Sequence, residues 1–277
     1  MILLLDAGNT RAKFGWLDPA SGTREAQAHA LDYSQISELV VWLQKLARRP
    51  TRILGVSVAK PTVQHAIEAL FIRQYGLQVE WIDNSYGARD LHNSYAQTSQ
   101  LGTDRWVALL GLLRHVRDQD TWQSGKPMLL ASFGTACTLD TLVNLPDQHG
   151  THRPHFVGGL ILPGPLLMAR SLAEGTARLP YVQGASSDYP TNTPGAISSG
   201  IAAAQAGALY RQWRMGLAHF CTAPQVFVSG GGWPLVQAEV QDILARAQAD
   251  LALPVLPPQY LATPVLDGLA SLLSPSG

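Results

Sequence analysis

Apolar and polar residues follow one another in a pattern that predicts strands and helices in turn. Continuous apolar residues at 2–5 predict a buried strand, because a strand with one side in water would alternate. Apolar residues recurring every three or four positions predict helices at 36–46, capped by Ser34, and from Pro61 onward. Further strands are predicted at 11–17, 25–31, 53–58 and 79–82.

A long polar stretch, residues 84–106, interrupts this pattern. It sustains neither a helical nor a strand period, and structureless segments of this length are commonly functional. The helical period resumes at about Thr103, and Trp106 and Leu109 begin its apolar face. We therefore expect a functional loop that leads into the start of a helix.

The second part of the chain begins by repeating the first. Residues 129–142 match residues 3–16: an apolar strand, a polar residue, a spacer, a glycine, small polar residues and a second strand. This repeat predicts a duplicated α/β fold with domains at 1–122 and 123–277. Beyond it we expect a strand at 156–162, a helix after Pro165, a long helix at 195–219, a strand at 226–228, a helix from Pro234 and a final packing helix within 261–273.

Composition and charge exclude several classes of protein. Apolar residues make up 46% of the chain and charged residues 14%, which suits a folded globular protein. The 20 basic and 20 acidic residues balance and form no basic block, so neither nucleic acid nor an anionic membrane is an expected partner. Two distant cysteines, with no signal peptide and no apolar run of membrane-spanning length, predict a cytoplasmic protein.

Three predicted strands end in turns that are poor in side chains, at 8–10, 134–136 and 229–232. Glycine lets the backbone approach an anion closely, and the N–H groups and threonine hydroxyls of such turns can bind phosphate oxygens. Each could be a tight turn and nothing more, but three in two related halves predict a nucleotide site. The sequence contains neither the Walker phosphate loop nor the glycine motif of dinucleotide-binding folds.

Two carboxylates lie beside these features. Asp6 ends a buried strand, where an unpaired charge is costly, so we expect it to hold Mg²⁺ through water while Lys13 neutralises phosphate. The alternative for Asp6 is a capping role in the turn. Asp104 starts a helix, where an acidic residue commonly complements the helix dipole. The flanking Arg105 and the preceding polar loop favour a general base with an anion clamp.

An ordered set of short motifs runs from residue 6 to about residue 232. The motifs are Asp6-x-Gly8-Asn9-Thr10-x-x-Lys13, Tyr95, Gly102-x-Asp104-Arg105-Trp106, Gly134-Thr135-Ala136-x-Thr138-x-Asp140, Gly158-Gly159-Leu160-Ile161-x-Pro163-Gly164, Asn192-Thr193-x-x-Ala196-Ile197-x-x-Gly200 and Ser229-Gly230-Gly231. Together they closely resemble the type III pantothenate kinases, whose relatives include proteins first named Bvg accessory factors.

The resemblance implies the fold of the acetate and sugar kinase/Hsp70/actin superfamily: two RNase H-like halves with mixed sheets flanked by helices and ATP between them. It implies transfer of the γ-phosphoryl group of ATP, with Mg²⁺, to the primary hydroxyl of pantothenate. The product is 4′-phosphopantothenate, in the first step of coenzyme A biosynthesis. A homodimer is also implied, and the smooth, alanine-rich helix at 195–219 is a candidate contact.

The resemblance also implies roles for individual residues of this chain. One group would bind ATP: Asp6, Ala7, Gly8, Asn9, Thr10, Arg11, Ala12, Lys13 and Thr135. A second group would line the pantothenate site: Tyr95, Gly102, Thr103, Asp104, Arg105 and Thr193. Asp104 would be the general base. Whether Arg105 binds the pantothenate carboxylate or the transferred phosphate stays open.

One position departs from the family. Its members usually carry an aspartate that helps bind a monovalent cation, K⁺ or NH₄⁺, where this chain has Ser132. A hydroxyl is a weaker cation ligand than a carboxylate. We therefore expect weak or absent dependence on K⁺.

Two other functions stay open at the level of sequence. The first is a non-catalytic ATP-binding regulator on the same fold, which the presence of both Asp6 and Asp104 disfavours. The second is a kinase for another small hydroxylated substrate, such as a sugar or acetate. Substrate competition would separate the two kinases.

Overall fold

Two units of alternating strands and helices make up the fold, Met1–Trp122 with Thr263–Gly277 and Gln123–Ala262. The computed structural model describes residues 1–46, 48–86, 91–119, 125–146, 150–181 and 184–273. Within those ranges, none of the helices is both long enough and apolar enough to cross a bilayer.

The first unit is built on a mixed sheet. Its elements are β1 (Ile2–Ala7), β2 (Arg11–Leu17), β3 (His29–Asp32), α1 (Glu38–Lys45), β4 (Arg52–Ser57), α2 (Pro61–Tyr75), β5 (Val79–Trp81), the short β6 (His92–Asn93) and α3 (Thr103–Asp118). The strand order is β3-β2-β1-β4-β5. The central strand β1 runs antiparallel to β2 and parallel to β4, so a hairpin and a crossover connection meet on it.

The second unit repeats this arrangement around another central strand. Its elements are β7 (Met128–Phe133), β8 (Ala136–Pro146), β9 (His152–Pro163), α4 (Pro165–Gly175), α5 (Thr193–Phe220), β10 (Gln225–Ser229), α6 (Trp233–Asp250) and β11 (Gln259–Tyr260). These strands lie in the order β11-β10-β7-β8-β9. β7 runs antiparallel to β8 and parallel to β10, as β1 does to β2 and β4.

The duplication predicted from the sequence is confirmed by this shared topology. β1 and β7 have the same length and the same succession of buried and half-buried residues. Their hairpin turns differ, because residues 8–10 connect β1 to β2 and only residues 134–135 connect β7 to β8. The predicted α/β class, with helices flanking mixed sheets, is therefore correct.

The last helix, α7 (Pro264–Ser271), packs on α3 in the first unit. Two glycines bring these helices close: a Cβ on Gly111 would lie 2.0 Å from the Pro264 carbonyl oxygen, and one on Gly268 would lie 1.9 Å from that of Val107. The predicted domain 123–277 included this helix, whereas the structure groups Thr263–Gly277 with the first unit. Its apolar pattern predicted a packing helix but could not indicate the sheet that it covers.

One face of the first sheet carries the core between β1, α1 and α2. Leu3, Leu5 and Ala7 of β1 are buried there against residues of both helices. Because side chains alternate along a strand, Asp6 lies on the other face, which α3 and α7 cover. The alternation along β1 therefore places Asp6 on the sheet face that α3 covers, and α3 carries Asp104.

Two predicted elements are shorter in the structure. The strand expected at 25–31 covers only His29–Asp32, because the Glu25 carboxylate turns back to accept a hydrogen bond from the Trp16 N–H at 2.7 Å. The helix expected at 36–46 is α1. Ser34, its predicted cap, lies instead in a 3-10 turn at Tyr33–Gln35.

Candidate active site

The carboxyl end of β1 forms the centre of the candidate site in the first unit. Asp6 and Lys13 are register partners on β1 and β2, on the face opposite to the fully buried Ala7 and Ala12. A hydrogen bond from the Gly8 N–H to the Arg11 carbonyl, at 3.1 Å, closes the turn. Asn9, Thr10 and Arg11 are exposed, whereas Ala7 and Ala12 could offer a ligand only their backbone.

Asp6 is a carboxylate that its surroundings make difficult to ionise. Burial raises its pKa from 3.8 to about 6, the Lys13 charge opposes this shift, and the nearby Asp104 carboxylate adds to it. A cation beside such a carboxylate offsets the cost of burying its charge. One carboxylate next to an exposed turn suits Mg²⁺, which binds through few protein groups and keeps several waters. Mg²⁺ bound there would neutralise phosphate charge.

Asp104 lies in the first turn of α3, at the same end of the sheet. Its carboxylate accepts a hydrogen bond from the Arg105 N–H at 2.8 Å. Burial raises the pKa of Asp104, while this hydrogen bond and the Arg105 charge lower it. Gly102 leaves the space that the carboxylate needs, since a Cβ there would lie 2.7 Å from Oδ1 of Asp104. A carboxylate with a raised proton affinity beside a phosphate-sized turn can accept a proton from an attacking hydroxyl.

Arg105 and Tyr95 lie together next to Asp104. The Arg105 side chain is buried, its Nη1 donates to the Tyr95 hydroxyl at 3.2 Å, and its guanidinium carbon lies 5.9 Å from the centre of the Tyr95 ring. Tyr95 thus holds the guanidinium by a hydrogen bond and a cation–π contact. Both residues were predicted to line one site, and the structure brings them together.

Asparagine side chains that the sequence analysis did not identify order the polar loop. The Asn84 amide donates to the carbonyls of Thr98 and Leu101 at 3.2 and 2.5 Å. Asn93 donates to the same Thr98 carbonyl at 3.2 Å and accepts from the Tyr95 N–H at 3.0 Å. These bonds fold the loop so that Tyr95 and Asp104 share a site. Asparagine in a loop is a weak signal, because it is equally common in solvated turns.

Tyr33 is a second residue that the sequence analysis missed. Its hydroxyl donates to the Gly8 carbonyl and lies 3.3 Å from the Arg11 carbonyl, so it braces both ends of the turn. Burial and the Asp6 charge raise the pKa of Tyr33 to about 12, so it stays a donor at all physiological pH values. Nothing in its sequence context indicates this contact, which spans the sheet from the end of β3.

In the second unit, three glycine-containing segments meet at the end of β7. The Gly164 N–H donates to the Thr135 carbonyl at 2.9 Å, and the Gly232 N–H donates to the Phe133 carbonyl at 2.8 Å. A Cβ on Gly164 would lie 2.0 Å from the Gly134 carbonyl oxygen, so no larger residue fits there. α4 and α6 begin beside this turn, and helix N-termini favour anions. Gly8, Gly134 and Gly232, one in each predicted glycine turn, use their N–H groups to bond neighbouring carbonyls, so phosphate binding by these turns stays a prediction.

Thr193 lies at the start of α5, on the wall of a groove of about 650 Å³. The groove is mostly apolar, and the Asn192 side chain shapes its rim by accepting a hydrogen bond from the Gly195 N–H at 2.8 Å. Its apolar lining includes Met168, Leu172, Leu179, Ile197 and Ile201. Such a groove suits a small ligand with an aliphatic part and few polar groups.

A sequence profile described as type III pantothenate kinase matches residues 2–215. The chain belongs to the type III pantothenate kinases. Proteins of that name in Bordetella petrii and Bordetella bronchiseptica are 48% and 46% identical to it, and each alignment covers 98% of this chain and 97% of the relative. A more distant one, from Aromatoleum aromaticum, is 36% identical over 86% of this chain and 88% of its own length.

The fold of this type III pantothenate kinase also matches a solved structure. A Baf family protein from Campylobacter jejuni, described as a transcriptional activator, superposes with a TM-score of 0.54 at 17% identity. The match covers 98% of this chain and 96% of that protein. At this identity the likeness supports the fold alone.

Ser132 distinguishes this type III pantothenate kinase from the usual pattern. It lies on β7 between its register partners Thr138 on β8 and Ser229 on β10, so three neutral hydroxyl side chains form a row across the sheet. Among the residues that the structure describes, no three His, Cys, Asp or Glu side chains are grouped to hold a metal ion. The position at which the resemblance implies a cation-binding carboxylate thus carries a hydroxyl flanked by hydroxyls.

The raised pKa of Asp6 predicts how its replacement changes stability. Above pH 6 the ionised form is buried at a cost, whereas only well below the ordinary pKa of 3.8 is the group protonated in both folded and unfolded chains. Asp6→Asn, measured without nucleotide or Mg²⁺, should therefore stabilise the fold above pH 7, by on the order of 3 kcal/mol at most, and this gain should shrink to a small fraction as the pH falls to 4. Thermal unfolding of both proteins from pH 4 to 8 measures this difference.

Asp18→Asn is the matched control. The pKa of Asp18 is lowered by a hydrogen bond from the Ala20 N–H and by Arg48, so neutralising this half-buried residue should give no stabilisation at neutral pH. If Asp6→Asn were less stable than the wild type at pH 8, attraction to Lys13 would outweigh the cost of burial, contrary to the prediction.

Proposed function

We propose that this chain transfers the γ-phosphoryl group of ATP to the primary hydroxyl of pantothenate, the first step of coenzyme A biosynthesis. The observation that carries the proposal is the grouping of Asp6, Lys13 and Asp104 at one sheet end in a chain of this family. Phosphoryl transfer needs positioning and charge neutralisation more than covalent help, and these groups supply both. With two free cysteines, the chain also suits a reducing cytoplasm.

In this mechanism each unit contributes its own candidate phosphate turn. The turn at 8–10 and Lys13 would bind phosphate oxygens, and Asp6 would hold Mg²⁺ through water. The backbone turn at Gly134 and Thr135, supported by Gly164 and Gly232, would bind ATP from the second unit. The N–H groups of Gly134, Gly164 and Gly232 bond neighbouring carbonyls, so the shape of this turn is set before an anion arrives.

Asp104 would accept the proton of the attacking hydroxyl. Its raised pKa increases its affinity for that proton, and the Arg105 N–H keeps the carboxylate oriented. Tyr95, Gly102, Thr103 and Arg105 would line the pantothenate site, together with Thr193 on the apolar groove. The Arg105 guanidinium suits either a carboxylate or a phosphate oxygen.

Asp104→Asn should lower kcat by about 10² to 10⁴-fold, because the amide cannot accept the proton, and it should change the KM for ATP by less than about threefold. Steady-state ADP release with Mg-ATP, with and without pantothenate, gives these constants. Asp83→Asn removes a carboxylate whose partner is Ser85 in an exposed turn and should leave kcat unchanged. If Asp104→Asn kept a third of wild-type turnover, Asp104 would not be the base. If the wild type bound ATP without pantothenate-dependent turnover, the non-catalytic regulator would be favoured.

We also propose that turnover is nearly independent of K⁺ and NH₄⁺. The row of hydroxyls at Thr138, Ser132 and Ser229 offers no formal negative charge to a monovalent cation. Wild-type kcat should change by less than about twofold when K⁺ replaces a large organic cation, and Ser132→Asp should become more sensitive to K⁺. Ser132→Asn, similar in size but neutral, should remain insensitive. A steep rise of wild-type activity with K⁺ would contradict the proposal.

A homodimer is the third part of the proposal. α5 exposes small residues, among them Ala196, Gly200, Ala203 and Ala204, and such a surface allows another helix to approach closely. Light scattering should give twice the chain mass of 29.9 kDa. Ala203→Arg should halve that mass and reduce pantothenate turnover, whereas Ala238→Arg, on the exposed side of α6, should do neither. A wild-type monomer with full turnover would refute the dimer.

A further inference from the structure

Gln205 of α5 is a fully buried polar residue that the proposed mechanism does not use. Its Nε2 donates to the Pro163 carbonyl at 2.7 Å and lies 3.0 Å from the Met168 sulfur. Its Oε1 is buried and has no hydrogen-bond partner. The amide nitrogen of Gln205 therefore bonds the last residue of β9, whereas its amide oxygen has no partner.

This arrangement is unfavourable for stability alone. A buried acceptor without a partner lowers stability, and an apolar side chain of similar shape would avoid that cost. The amide also contacts the Met168 sulfur, so methionine is chemically suited to that side of the site. A buried polar group kept at such a cost calls for a functional explanation.

The partners of Gln205 connect two candidate binding surfaces. Pro163 immediately precedes Gly164, whose N–H donates to the Thr135 carbonyl at 2.9 Å and whose Cα lies against the Gly134 carbonyl. Met168 lines the apolar groove that begins at Thr193. The Gln205 amide thus contacts Pro163, next to the glycine that supports the Gly134–Thr135 turn, and Met168, which lines the groove.

We propose that Gln205 is a positioning residue, which holds Pro163 and Gly164 against the Gly134–Thr135 turn so that the turn is formed before ATP binds. The inference rests on the proposed role of Thr135 in contacting ATP. Without the hydrogen bond to the Pro163 carbonyl, the segment that supports the turn is free to shift, and ATP binding has to order it again. Binding of ATP is then weakened, while the proton transfer at Asp104 is unaffected.

Gln205→Met tests this inference, because it removes the amide and keeps the approximate volume. We expect the KM for ATP to rise about fivefold or more, with kcat within about twofold of the wild type. The unfolding temperature should change little, because losing the unpaired Oε1 offsets losing the donor to the Pro163 carbonyl. A purely structural role predicts lower stability and an unchanged KM for ATP.

Gln212→Met is the matched control on the same helix. The Gln212 Nε2 donates to the Thr141 hydroxyl at 3.2 Å, away from the glycine turn, so the same chemical change should leave the KM for ATP as it is. If Gln205→Met does not fold, Gln205→Asn keeps an amide that is one methylene too short and should raise the KM for ATP in the same way.

Calorimetric titration of Mg-ATP in the absence of pantothenate separates this inference from the proposed function. Weaker ATP binding by Gln205→Met than by both the wild type and Gln212→Met supports the positioning role, even if pantothenate proves not to be the substrate. Equal ATP affinities in all three proteins overturn it, whatever the turnover. Absence of pantothenate-dependent turnover in the wild type refutes the proposed function alone.

Discussion

A carboxylate at the end of a buried strand is the constraint on which the first half of this molecule depends. Asp6 follows four buried apolar residues, so the strand that carries it cannot move to the surface. Its charge has to be balanced in place, and Lys13 in the paired register position does this in part. The remaining imbalance, a pKa raised to about 6 with a second carboxylate nearby, leaves a buried charge that a bound cation would stabilise. In the proposed mechanism, the unfavourable burial of Asp6 is therefore the reason why it would hold Mg²⁺.

The second unit has the same strand and turn arrangement as the first, but without the charged pair. β7 reproduces β1 in length and burial, yet Ser132 stands at the position of Asp6 and Thr138 at that of Lys13. There the turn is supported by the backbone, through the N–H groups of Gly164 and Gly232. The two turns of the duplicated fold therefore differ in chemistry, because one has a charged pair beside it and the other has neutral hydroxyls at the same positions.

The pattern of apolar residues was enough to predict β2, α2, the duplication and the helix start at Asp104. Each of these depends on local periodicity or on strand burial, which a sequence records directly. The strand predicted at 25–31 begins only at His29, because the Glu25 side chain binds the Trp16 N–H, a contact between residues that no periodicity relates. Tyr33, Asn84 and Gln205 were missed for the same reason. Each acts on a backbone carbonyl distant in sequence, and a side chain that binds a carbonyl has no characteristic neighbours.

These missed contacts follow a common rule. A turn that presents its N–H groups to an anion still has carbonyl groups, and a buried carbonyl needs a donor from elsewhere in the chain. The Gly8 carbonyl receives the Tyr33 hydroxyl, the Phe133 carbonyl the Gly232 N–H, and the Thr135 carbonyl the Gly164 N–H. Glycine is required at 164 because the donor has to approach so closely that a Cβ would collide with the turn. The turns are therefore only as well ordered as the groups behind them, which is the reason for proposing that the buried Gln205 amide, through Pro163 and Gly164, influences how tightly ATP is held.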